Sequence, residues 1–286
     1  MALPLLSLAV LLYLGATVAS VAAFRRPELV RAAEAGFGLA AAGFVVHGVA
    51  IGAGCAELGG RHLLTVVGAV GLGGWIAAGV LLLVQRAIRT AAAGTFMLPP
   101  VLLATLPGLR DAPVGEAGAA QGLAALPRIQ VHVTAAVAGV ALLALAAVAS
   151  LMYLLQQRQL KGKRFGPLLR RLPSLDALER LSGLLVAAGF AAFTVALLAG
   201  ALAARTVWCA TWEWDGQRIA SLLAWFVIAA LVAARAAGHR GQRQALLSLA
   251  GLALVLACLV GVRREGAGAR HADPGAAPVL ACAGTS

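Results

Sequence analysis

Long runs of Ala, Leu, Val and Gly alternate along the chain with short clusters of Arg, Lys, Pro and Asp. Eight runs approach the roughly 20 apolar residues that a helix needs to cross a hydrocarbon core. They predict spanning helices at 2–24, 35–54, 65–87, 92–108, 131–156, 182–205, 217–235 and 244–262. The fourth is short and carries Pro99 and Pro100 near its middle. A kink is expected there, because proline removes a helix hydrogen bond that neighbouring helices must replace. The small residues throughout suit close backbone approach in a bundle. The pattern therefore predicts an all-α, polytopic transmembrane bundle of about eight helices.

The clusters between the runs give the chain a direction. The loops after predicted helices one, three, five and seven hold 15 of the 23 Lys and Arg residues, and the opposite loops hold eight. Basic residues collect on the cytoplasmic side. The 15-residue set is therefore placed inside and both termini outside. The largest inner loop, 157–181, contains the basic run QQRQLKGKR and could touch anionic membrane lipid. Its end, PSLDALERLS, reads as a short amphipathic helix with Ser174 as N-cap and Asp176 in the first turn. Otherwise the loop is a solvated connector. The outer loop 109–130 is rich in Gly, Ala and Pro and is expected to be mobile.

Composition agrees with a membrane chain: 61% of the 286 residues are hydrophobic and 12% charged. A net charge of +12 would ordinarily suggest nucleic acid. Here the basic residues lie between apolar spans, where topology explains them, and no nucleic-acid partner is expected. The N-terminus lacks a basic leader before its apolar run and reads as a first spanning helix, not a removed signal. Four cysteines with no CxxC pair make no disulfide framework. Cys258 reads as packing, whereas Cys55, Cys209 and Cys282 all fall outside, where a disulfide could form.

The chemistry concentrates in WCATWEWD, residues 208–215. Three of the five tryptophans lie there with Glu213 and Asp215. Trp75 and Trp225 read as interface anchors, since indole has an apolar body and one donor. Three indoles in seven residues form instead a flat apolar patch rimmed by acids, able to bind a large planar ligand. His132 begins the fifth span at its outer edge, and His271 lies in the outer tail. His47 falls in the outer half of the second span, where an ionisable group is a functional candidate. Imidazole is a common axial ligand of haem iron. His62, beside Arg61, reads as a solvated loop residue. No HExxH, Walker loop or helix-opening GxGxxG occurs.

WCATWEWDGQR resembles the tryptophan-rich WGxxWxWDPKE signature of the cytochrome c assembly family, the CcsA/HemX-type haem-handling membrane proteins. VHVTAAVAGVALLALAAVASLMYLLQQRQLKGK resembles that family's histidine-led helix with its basic connector. LPSLDALERLSGLLVAAGFAAFTVALLAGALAA resembles the segment before the signature, and GHRGQRQALLSLAGLALVL the opening of the last helix. The likeness runs from about 130 to 265 and divides the chain into an N-terminal half at 1–130, a core at 131–265 containing the loop 206–216, and a flexible outer tail at 266–286. Gly216, Gln217 and Arg218 stand where the family has Pro-Lys-Glu. The family's second intramembrane histidine has no counterpart in LVAAR at 231–235.

The resemblance implies that His132 and His271 are axial ligands of a haem b held transiently outside. It implies that Trp208, Trp212, Trp214 and Asp215 form the haem platform and that His47 serves haem transit. The function implied is a haem-binding, haem-presenting and more plausibly non-enzymatic subunit of c-type cytochrome biogenesis in the bacterial cytoplasmic membrane. Its partners would be apocytochrome c and a second maturation subunit. Two alternatives stand beside it. One is a HemX-type regulator of haem biosynthesis acting on the level of glutamyl-tRNA reductase. The other is a diverged membrane scaffold that binds no haem.

Overall fold

A computed structural model describes residues 2–26, 28–58, 61–88, 90–109, 127–163, 171–208, 216–238 and 241–272, the side chains of 204–208, 217–218 and 259–272 excepted. Helices α1 (Ala2–Arg25), α2 (Val30–Leu58), the single turn α3 (Arg61–Leu64), α4 (Val66–Ile88) and α5 (Ala91–Thr105) make the N-terminal half, and a 3-10 turn extends α5 through Leu109. Helices α6 (Pro127–Lys161), α7 (Leu175–Trp208), α8 (Gly216–Ala236) and α9 (Gln242–Ala272) make the C-terminal half. All eight predicted spans are helical. Among the described residues seven helices are long and apolar enough to cross a membrane, and 242–258 is a shorter apolar stretch. The protein is thus a multi-pass membrane helix bundle.

The helices run longer than hydropathy alone predicts. α7 begins at Leu175, so the amphipathic stretch after Pro173 is the first turns of the spanning helix and not a separate one. Ser174 does cap it: its hydroxyl accepts the amide of Ala177 at 3.3 Å, and Asp176 pairs with Arg180 one turn on at 2.9 Å. α9 runs through Ala272, past the predicted end at 262. Of the loop 109–130 expected to be mobile, 127–130 form instead the first turn of α6, Leu109 ends the 3-10 turn, and 110–126 lie outside the described residues.

The strongest pairings are α1 with α2 and α6 with α7, and α4 and α5 join the halves by packing on α6. Small residues make the first pairing possible. The buried positions of α2 are Gly36, Ala40, Gly43, His47, Ala50 and Gly54, alternating four and three residues apart. That spacing lays one seam along the helix. Tyr13 of α1 lies over Gly43, where a Cβ would come within 2.9 Å of its ring. Tyr13, Leu81, Met97, Leu98, Leu145, Met152 and Ile228 fill the core. Leu83 and Leu184, 69% and 70% exposed, face outward as a lipid solvent requires.

The basic loop is more than a solvated connector. Arg171 donates to the carbonyls of Phe24 at 2.6 Å and Arg25 at 2.8 Å, the last turn of α1. A guanidinium there satisfies carbonyls that the helix leaves unpaired and meets the negative end of its dipole. One contact thereby ties the inner loop of the C-terminal half to the N-terminal half.

Candidate functional site

His132 stands in the second turn of α6, a helix that opens on Pro127, a residue preorganised for the first helical position. Its ring reaches across to α7, where Nδ1 lies 2.7 Å from the Ala196 carbonyl. A carbonyl can only accept, so Nδ1 carries a hydrogen, and Nε2 is the nitrogen left to ligate a metal. This is the arrangement that orients a metal-binding imidazole and raises its basicity. Gly200, one turn beyond Ala196, makes the approach possible: a Cβ there would sit 2.7 Å from Nδ1.

Around His132 lies a cavity of about 130 Å³ walled by Phe193, Ala196, Trp225, Val255 and Cys258. Trp225, read from the sequence as an interface anchor, is half-buried and has partners on α7. Its indole N–H donates to the Thr194 hydroxyl at 3.0 Å, and its ring lies 5.3 Å from Phe190. Trp75 is likewise half-buried, stacked on Phe44 at 4.8 Å and donating to the Phe44 carbonyl at 3.0 Å. Cys258 is free, as is Cys55, and Cys209 and Cys282 lie outside the described residues.

The remaining predicted ligands divide. Trp208 ends the backbone of α7, eight residues and so about 12 Å along the helix from Gly200. Trp212, Trp214 and Asp215 lie outside the described residues. His271 is carried on the helical backbone of α9, where the sequence reading puts a loose tail, and its side chain is outside the described set.

His47 is fully buried on the α2 seam, and neither ring nitrogen has a hydrogen-bond partner among the described residues. It lines a second cavity of about 230 Å³, shared with Ile51, Glu57, Leu58, His62 and Thr65. Both cavities lie at the end of the bundle assigned to the outside, where α3 touches α6 as well as α4. His62 is a correction to the sequence reading. It is half-buried on α3, and a Cβ on Gly54 of α2 would meet its Nε2 at 2.9 Å.

The corner that holds His62 is tightly made. Arg61 donates through Nε to the Leu58 carbonyl at 3.0 Å, closing the end of α2. Thr65 donates to the His62 carbonyl at 2.8 Å and accepts the Gly68 amide at 3.0 Å, capping α4. His62 is thereby turned toward α2 rather than left wholly in solvent, a placement that the neighbouring Arg61 does not announce in the sequence. Burial lowers the His62 pKa from 6.5, against an opposing pull from Glu57, so the imidazole favours its neutral, ligating form.

Among the described residues no three His, Cys, Asp or Glu side chains gather into a metal cluster. Haem iron needs only one or two protein ligands, since the porphyrin supplies the rest. His47, whose nitrogens have no partner among the described residues, and His132, whose Nδ1 is held by a carbonyl, both fit that demand.

A family model described as Cytochrome C assembly protein matches residues 63–268, well over half the chain. The match takes in α4 and α5, beyond the stretch where the sequence resemblance is strong, and includes His132 but stops short of His47, His62 and His271. The cytochrome c biogenesis protein CcsA of Gloeothece citriformis is 35% identical over 101 residues, covering 35% of this chain and 31% of that protein. CcsA of Synechocystis is 34% identical over 100 residues, covering 35% and 30%. CcsA of Prochlorococcus marinus is 35% identical over 94 residues, covering 32% and 30%. The chain thus aligns with about a third of the length of these relatives. With a family model matching residues of both halves over well more than half its length, the chain belongs to the cytochrome c assembly protein family.

Proposed function

We propose that the protein is a haem-handling subunit of c-type cytochrome biogenesis in the bacterial cytoplasmic membrane. The observation that carries this reading is the His132 Nδ1 contact with the Ala196 carbonyl at 2.7 Å, beside an apolar cavity. It prepares Nε2 to take an axial position on haem iron. His271 supplies the opposite ligand in this reading, and Trp208, Trp212, Trp214 and Asp215 form the platform for the macrocycle. Trp225 and Phe193 keep water from the His132 side. His47 serves the passage of haem b through the N-terminal half. The bound haem contributes the vinyl groups to which a cytochrome is joined. The protein contributes binding and orientation, while apocytochrome c and a second maturation subunit complete the reaction. The relatives named for cytochrome c biogenesis support the same role.

The test is an absorption spectrum of the purified protein, oxidised and reduced, beside His132→Ala and His271→Ala. A low-spin haem that both variants lose is the expected result. A protein that remains colourless with added haem would overturn the reading and favour regulation of haem biosynthesis or a scaffold.

A further inference from the structure

The end of the C-terminal half opposite His132 carries a knot of polar side chains from four helices. Ser150 of α6 and Ser182 of α7 are buried and share a hydrogen bond of 2.8 Å. Arg235, in the last turn of α8, donates through Nη2 to the Glu179 carbonyl of α7 at 3.0 Å. Gln244, in the first turn of α9 and 2% exposed, donates through Nε2 to the Leu231 carbonyl of α8 at 3.3 Å. Both long side chains are only half used. Arg235 Nη1 and Gln244 Oε1 are buried, and neither has a hydrogen-bond partner among the described residues. One is a donor and the other an acceptor, and leaving either unsatisfied in an apolar bundle is costly. Both residues line one cavity of about 10 Å³, together with the two serines and Tyr153. That is room for one water molecule and nothing larger.

We propose that this cavity is a water site, and that Arg235, one water molecule and Gln244 form a latch joining α7, α8 and the start of α9. The proposal is independent of the haem-handling reading. The water accepts a hydrogen bond from Arg235 Nη1 and donates one hydrogen to Gln244 Oε1. The hydroxyls of Ser150, Ser182 and Tyr153 stand on the same walls to take its other hydrogen. The latch spans a turn that needs holding. Gly238 and Gly241 have φ of 84° and 77°, a left-handed backbone that glycine adopts freely. Gly241 is also seated on α6, where a Cβ would stand 3.2 Å from the Tyr153 hydroxyl. The two helices joined at this turn are those that carry Trp225 and Val255 to the wall of the His132 cavity. A small side-chain shift that brings Arg235 and Gln244 into direct contact is the competing account, and it requires no water.

The experiment mixes the full chain in detergent with heavy-oxygen water and pulses it at once with radiolytic hydroxyl radicals. Mass spectrometry then reads which side chains are oxidised and with which oxygen. A resident water should mark Tyr153 and Leu178, the latter 0% exposed, with ordinary oxygen, because it has not yet exchanged with the bulk. Arg235→Leu and Gln244→Leu should each lose that mark. No mark on Leu178, or a mark carrying only heavy oxygen, overturns the water site, and this wild-type result stands even where a variant fails to fold. Thermal unfolding tests the latch. Each single replacement leaves the other group without its bridge and should lower Tm, and the double variant should lower it by less than the sum of the two. Additive losses would show that the groups share no partner and would overturn the latch. Non-additive losses without the ordinary-oxygen mark would mean a direct contact, which also overturns the proposal.

Discussion

Tyr13 of α1 and His47 of α2 meet edge to face, their ring centroids 5.9 Å apart and their planes at 73°. Neither the Tyr13 hydroxyl nor either His47 nitrogen has a hydrogen-bond partner among the described residues. Three buried polar atoms thus lie within the most extensive helix pairing of the N-terminal half. Packing does not require them, because every other buried position on the α2 seam is Gly or Ala.

His47→Leu should therefore leave the ligand-free protein at least as stable as the wild type. Removing unpaired buried atoms recovers about 1–3 kcal/mol, against a similar side-chain volume. Thermal unfolding in detergent measures this. A clear loss of stability would mean that His47 already holds internal partners.

Gly200→Ala should disturb His132 without touching it in sequence. The added methyl would stand 2.7 Å from Nδ1, so the imidazole must leave the Ala196 carbonyl. Loss of such an orienting contact weakens metal binding about 10–100-fold. A haem titration of the variant reads the change, and an unaltered affinity would show that the contact does not orient the ring.

Gly183→Ala acts at the opposite end of α7 from the His132 contact. Its methyl would overlap the guanidinium of Arg235, which donates to the Glu179 carbonyl at 3.0 Å. Breaking a charged hydrogen bond should cost about 1.5–3 kcal/mol. Limited proteolysis of the inner loops, compared with Arg235→Met, reports whether the two changes loosen the same corner.

Arg171→Ala should uncouple the halves. It removes two donors from the last turn of α1. A loss of about 1–2 kcal/mol is expected from a partly exposed cap of this kind, with faster amide exchange at residues 22–26. Ser174→Ala, which removes the cap of α7, should cost about 1 kcal/mol and speed exchange at 175–178 only.

The sequence determined most of the architecture by itself. A lipid solvent demands long apolar helices, and eight such runs were legible from hydropathy before any coordinates. Ser174 was legible as a cap because capping is local, three residues of chain and one hydroxyl. His132 and His47 stood out because an ionisable group in an apolar run is a functional candidate, although a histidine satisfied by a neighbouring carbonyl is the plain structural alternative. Tertiary structure decided what those side chains meet. Nothing in the sequence pairs His132 with a carbonyl 64 residues away, or turns His62 inward beside Gly54. Nor does it bring Arg171 to the end of α1. Periodicity reports which face of a helix is apolar, whereas a partner across a seam depends on how two helices pack. In this bundle the packing follows small-residue seams such as that of α2, and Gly and Ala are too frequent in every span for the sequence to single one seam out.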